Sequence, residues 1–191
     1  MDNEIENKAE NVLNNRLPIV GIMGSGDTEW PERTTDLGRW LAEKGVHLLT
    51  GGGSGVMASI SQAFFEVSDR KGSVIGILPC QADDPTCRPK KGYPNPWIEI
   101  PIATHLPLSG DQGANPLSRN HINILSSNVI IALPGGAGTL SEVMLAEKYR
   151  RPLVAYLHDQ SELPGLPPSV PMVNTLEGVQ EFVKKHLLIK G

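Results

Sequence analysis

Aromatic side chains are scarce, with three Trp, three Tyr and three Phe in 191 residues. A core must therefore come from aliphatics. Leu, Ile, Val and Phe number 51, about 27%, above the rough 20% floor for a packable chain. Two cysteines, Cys80 and Cys87, are too few for a disulfide framework, and their C-x6-C spacing matches no common zinc pattern. No metal site is expected, although a ligand role for Cys80 stays open. There is no basic excess: 17 Lys and Arg stand against 21 Asp and Glu, a net charge of −4. Binding driven by nucleic-acid phosphates is disfavoured accordingly. No apolar run approaches the roughly 18–20 residues of a membrane helix. The segment MDNEIENKAENVLNN is acidic and polar, unlike a signal peptide. These absences predict a cytoplasmic protein, with residues 1–16 as a polar arm and 17–191 as a single domain.

Glycine, by contrast, is abundant: 20 residues, beside 16 prolines. Ten of the glycines fall in three windows: Gly21, Gly24 and Gly26; Gly51, Gly52, Gly53 and Gly55; Gly135, Gly136 and Gly138. Each window ends an aliphatic run (18–20, 46–49 and 129–133) and precedes helical apolar spacing. Strand, glycine turn and helix repeated three times predict an α/β fold: a Rossmann-like open, mainly parallel sheet with helices on both faces. Two further strands are predicted at 73–78 and 153–157. An edge strand is predicted at 97–101, where the pattern alternates and Pro101 intervenes. Helices are expected over 31–45, 56–67, 116–126 and 139–149. A loop covers 158–172, and a last helix is capped by Thr175.

In such a sheet, ligands bind beyond the carboxyl ends of the strands, where all three windows lie. Glycine there admits close approach to the backbone, and a helix N-terminus favours an anion. Tight turns and close helix–sheet packing are the plainer use of the same residues. The familiar nucleotide motifs fail. Gly24-Ser25-Gly26 lacks the third glycine of a dinucleotide fingerprint, and no Lys follows Gly51 within a P-loop spacing. No Ser sits in a G-x-S-x-G elbow. The side chains able to share the crevice are Arg119, which can hold an oxyanion bidentately, with Asn120, and Glu142 near a helix start. An ordinary ion pair between Arg119 and Glu142 is the competing reading. Asp27, Thr28, Ser54, Ser109 and Asp111 are secondary candidates. His105 and His121 read as structural.

Pro134-Gly-Gly-Ala-Gly-Thr-Leu-Ser-Glu142 resembles the P-G-G-x-G-T-x-x-E signature of the lysine decarboxylase-like LONELY GUY family. Thr50-Gly-Gly-Gly-Ser-Gly-Val-Met57 resembles that family's upstream glycine motif, and the likeness spans roughly 18–157. It implies a homodimer whose cytokinin-activating members release the base from nucleoside 5′-monophosphates, with Arg119 and Glu142 as the catalytic pair. Asn120 and Ser141 depart from those enzymes, which carry a Lys and an acidic residue there. Arg119-Asn120-x-x-Asn123 and the Ser141-Glu142 pair are more similar to the molybdenum cofactor carrier proteins. That branch implies binding of molybdopterin carrying molybdate, or phosphate-like oxyanions. Gly24 to Gly26, Gly51 to Gly55, Arg119, Asn120, Pro134, Gly135, Gly136, Gly138, Thr139 and Glu142 would hold the ligand without catalysis. Molybdoenzymes or cofactor-synthesis proteins are the implied partners. The alternative is a phosphoribohydrolase, and a nucleotide sensor is the third reading.

Overall fold

The computed structural model describes residues 16–187. The arm read from the sequence lies outside the described residues except for Arg16. Seven strands run β1 (Ile19–Met23), β2 (His47–Thr50), β3 (Val74–Leu78), β4 (Ile100–Ala103), β5 (Val129–Ala132), β6 (Leu153–Tyr156) and β7 (Met172–Val173). The helices among the described residues are α1 (Pro31–Glu43), α2 (Val56–Phe65), α3 (Asn120–Ser126), α4 (Ala137–Lys148) and α5 (Leu176–Leu187). The strand order is β4-β3-β2-β1-β5-β6-β7, and every pairing is parallel. The Rossmann-like α/β expectation is thus met.

Neighbouring residues of each strand feed opposite faces, so the sheet has two cores. Val20, Ile22, Leu48, Ile131 and Val154 pack with Leu37, Leu41, Ile60, Phe64, Val179 and Val183 beneath α1, α2 and α5. Met23, Leu49, Ile130 and Ala155 pack with Ile124, Val143 and Ala146 beneath α3 and α4. β3, β5 and β6 are buried along their length, which explains their continuous apolar sequence. Each such Leu or Ile contributes about 1.5–3 kcal/mol when removed from water.

Several assignments differ from the sequence reading. The edge strand β4 begins at Ile100 rather than Trp97, and Pro101 sits on the open edge where a missing N–H is tolerated. Helix α3 starts at Asn120 rather than Pro116. Residues before it are committed elsewhere: Leu108 N–H donates to Leu117 O at 3.3 Å, and Arg119 N–H to Leu108 O at 3.2 Å. The loop over 158–172 contains a 3-10 turn at Gln160–Glu162 and ends in β7, a two-residue strand. Gly21 lies inside β1, not in a turn, and is a glycine there because a Cβ would collide with Ser127. The cap at Thr175 holds, since its Oγ1 accepts from Gly178 N–H at 3.2 Å.

From β1 the chain builds outward to β4, then crosses back to place β5 on the other side of β1. Their carboxyl ends diverge there, and an open crevice is the topological result.

Candidate functional site

A cleft of about 390 Å³ occupies this switch point. Its walls include Gly24, Ser25, Gly26 and Asp27 after β1, Gly51 after β2, and Gly136, Gly138, Thr139 and Glu142 from the β5–α4 turn. Ser109 and Asp111 form one rim, and Arg119 and Asn120 enter from the start of α3. Residues from five stretches of sequence, proposed separately, therefore meet in one place.

Arg119 is the central group. Its side chain is 4% exposed, and it lies 3.6 Å (Nη1 to Oε1) from Glu142. That is an ion-pair distance but too long for a hydrogen bond. Arg119 Nε and Nη1 have no hydrogen-bond partner among the described residues. Such a buried cation with free donors is costly unless something supplies acceptors. Gly51 makes room for it: a Cβ there would collide with the guanidinium.

Glu142 accepts from Asn123 Nδ2 at 3.2 Å and is buried. Burial pushes its carboxyl above the ordinary value, while the Arg119 cation and the Asn123 amide pull the other way. Asn120 is also buried, donating to Ser141 Oγ at 3.4 Å, and its Oδ1 has no hydrogen-bond partner among the described residues. The first amides of α4, from Ala137 to Thr139, have no intrahelical acceptor and carry the partial positive charge of the helix end. Donors for an anion thus converge from the guanidinium and from one helix terminus.

The second glycine window does something else. Gly52 N–H donates to Thr50 Oγ1 at 3.0 Å, and Gly52 O accepts from Asn95 N–H at 2.7 Å. Gly53 O accepts from Asn95 Nδ2 at 2.8 Å, and Ser54 Oγ donates to Gly26 O at 2.6 Å. Gly55, with φ 61°, lies so close to Ser25 that a Cβ would collide with the Ser25 carbonyl. These four residues tie loops together and do not line the cleft. Pro134 and Gly135 are likewise structural: Pro134 O accepts from Ser25 N–H at 2.9 Å, and Gly135 N–H donates to Glu162 O at 3.0 Å. Thr28 only caps its turn, its N–H donating to Ser25 Oγ at 3.0 Å.

Sequence reasoning passed over several contributors. Tyr93 and Met57 line the cleft, and Gly110 supplies part of its rim. Arg33 is 2% exposed and pairs through Nη2 with Glu162 Oε1 at 2.8 Å. Because Glu162 O holds Gly135, this pair anchors the P-G-G turn from outside. No local signal revealed it, since Arg33 lies on an amphipathic helix 129 residues away. His121 is structural as expected, bonded to Tyr149 Oη at 2.7 Å and Asn115 O at 3.0 Å. Cys80 and Cys87 are free thiols beside a separate hollow. Among the described residues, no His, Cys, Asp and Glu group of three or more could hold a metal, and no helix is long and apolar enough to cross a membrane.

Fold and cleft define a Rossmann-like α/β protein with an open cleft at the strand-order reversal. Residues 17–176 match the SLOG cluster4 family, and the chain belongs to that family. An uncharacterized protein of Archaeoglobus fulgidus is 33% identical over 135 residues, spanning 70% of this chain and 76% of its own. The molybdenum cofactor binding protein of the phototrophic bacterium Rippkaea orientalis is 32% identical, with 91% of this chain and 99% of that one covered and a TM-score of 0.69. The molybdenum cofactor carrier protein of Chlamydomonas reinhardtii has the same identity and coverage, with a TM-score of 0.66. The resemblance to the carrier branch, drawn from Arg119-Asn120-x-x-Asn123 and the Ser141-Glu142 pair, is met at this level.

Proposed function

We propose that this protein binds molybdenum cofactor and stores, protects and carries it in the cytoplasm. The observation that carries the reading is Arg119, a buried guanidinium lining the cleft whose Nε and Nη1 have no hydrogen-bond partner among the described residues. The cofactor's phosphate and molybdate oxygens are acceptors, which is the chemistry these donors lack. Arg119 and the Ala137–Thr139 amides would hold the oxyanion, and the Gly24–Gly26 turn lets it approach the backbone. The likeness to two molybdenum cofactor proteins over 91% of the chain supports the same ligand. A homodimer, with molybdoenzymes or cofactor-synthesis proteins as partners, completes the proposal.

The test is to mix the full chain anoxically with cofactor released from a molybdoenzyme, then gel-filter it and measure pterin fluorescence and molybdenum in the protein peak. Equimolar pterin and metal are expected. A peak carrying neither sinks the reading.

One observation favours a second reading. Glu142, uncharged more readily than an ordinary carboxyl, stands beside Arg119, a pairing suited to protonating a leaving base while a phosphate is held. Release of ribose 5-phosphate from AMP, abolished in Glu142→Ala, would establish phosphoribohydrolase activity in place of carriage.

A further inference from the structure

Tyr93 is the one aromatic residue that lines the cleft among the described residues, and it comes from the long connection between β3 and β4. Its position is fixed by features that had no role in holding an anion. Asn95, 5% exposed, clamps both Gly52 and Gly53 carbonyls through its own N–H and Nδ2, at 2.7 and 2.8 Å. The Tyr93 ring then lies against Gly53, where a Cβ would stand 3.0 Å from Cε1, and beside Met57, whose Cε would be 2.9 Å from the same Cβ. Gly51 contacts Arg119 and Gly53 contacts Tyr93. Two residues of chain span at most about 7 Å. The ring and the guanidinium therefore line one cleft, set against glycines two residues apart.

Arg119 and the α4 amides recognise any oxyanion, molybdate and inorganic phosphate included. Discrimination must come from a group that ignores the anion and meets what it is attached to. Tyr93 offers a half-buried aromatic face flanked by a thioether, while Asp27 and Asp111 stand at the mouth as acceptors for ring N–H groups. We infer that Tyr93 is the specificity-determining residue of the cleft, stacking on the flat nitrogen heterocycle of an anionic ligand whose phosphate is held at Arg119. This inference rests on the oxyanion reading of the cleft and adds the ring to it.

The experiment uses the full chain and two probes, a pterin phosphate monoester and ribose 5-phosphate, the second carrying the phosphate without the ring. Stacking of one ring is worth about tenfold or more in affinity. Tyr93→Leu keeps apolar bulk against Gly53 and should weaken the pterin phosphate by about tenfold while ribose 5-phosphate is unaffected. Tyr93→Phe should retain both affinities, and the quenching of pterin fluorescence on binding should persist in it but vanish in Tyr93→Leu. Unchanged pterin affinity and quenching in Tyr93→Leu overturn the inference while leaving the oxyanion site standing. Equal weakening of both probes also overturns it, because the residue would then only shape the loop. Wild-type protein that binds neither probe removes the anion reading and this inference with it.

Discussion

Gly51 and Arg119 share one volume: the space a Cβ on Gly51 would fill holds the Arg119 guanidinium. The glycine of the second window is thus the complement of a side chain contributed from α3, 68 residues later. Gly51→Ala should destabilise the fold by about 1–3 kcal/mol, as overpacking does. In an Arg119→Ala background the same substitution should cost little. Thermal or denaturant melts of the four proteins in that cycle measure the coupling.

Arg119→Ala should weaken an oxyanion by about 1.5–3 kcal/mol, the range for hydrogen bonds to charged groups. Calorimetric titration with molybdate reads this directly. Affinity equal to wild type would move the anion site away from α3.

Glu142 predicts a pH dependence of stability. Its folded-state carboxyl titrates above the ordinary value because burial outweighs Arg119 and Asn123. Its contribution is therefore complete below the ordinary carboxylate pKa and is lost as pH rises through the raised one. Glu142→Gln removes that loss, so its Tm should decline less than that of wild type as pH is raised across this window. Parallel Tm profiles would show that the carboxyl ionises without penalty.

Arg33 and Glu162 predict the opposite sign. The Arg33 hydrogen bond, foremost, holds the Glu162 carboxyl below its ordinary value. The pair's stabilisation is complete above the ordinary carboxylate pKa and fades as pH falls through the lowered value. Arg33→Met should cost about 1.5–3 kcal/mol near neutrality, with wild type and variant converging in acid. Because Glu162 O anchors Gly135, ligand affinity should fall as well, although Arg33 does not line the cleft.

Strand runs and glycine turns were legible because each is local: a strand buried on both faces must be continuously apolar, and a tight turn needs glycine. The cleft's position followed from the same elements. What was hidden required knowing which distant loops touch. Gly52, Gly53 and Gly55 read as anion turns, yet their polar groups and close contacts are spent on Asn95, Thr50 and Ser25. Tyr93 sits in a connection whose sequence carries no periodicity, and the Asn95 clamp ties that connection to Gly52 and Gly53. β7 has two residues, too few to leave any pattern. The late start of α3 reflects pairing with Leu108, a contact that helical spacing cannot anticipate.

The Ser25 peptide joins three strand ends: its N–H donates to Pro134 O at 2.9 Å, and its carbonyl accepts from Val56 N–H at 2.9 Å. The turns after β1, β2 and β5 are consequently one mechanical unit. Parting the β1 turn from the β5 turn breaks the first bond, and parting it from the β2 turn breaks the second. The cleft walls that follow β1 and β5 are therefore held in register by main-chain hydrogen bonds, which a side-chain substitution does not remove.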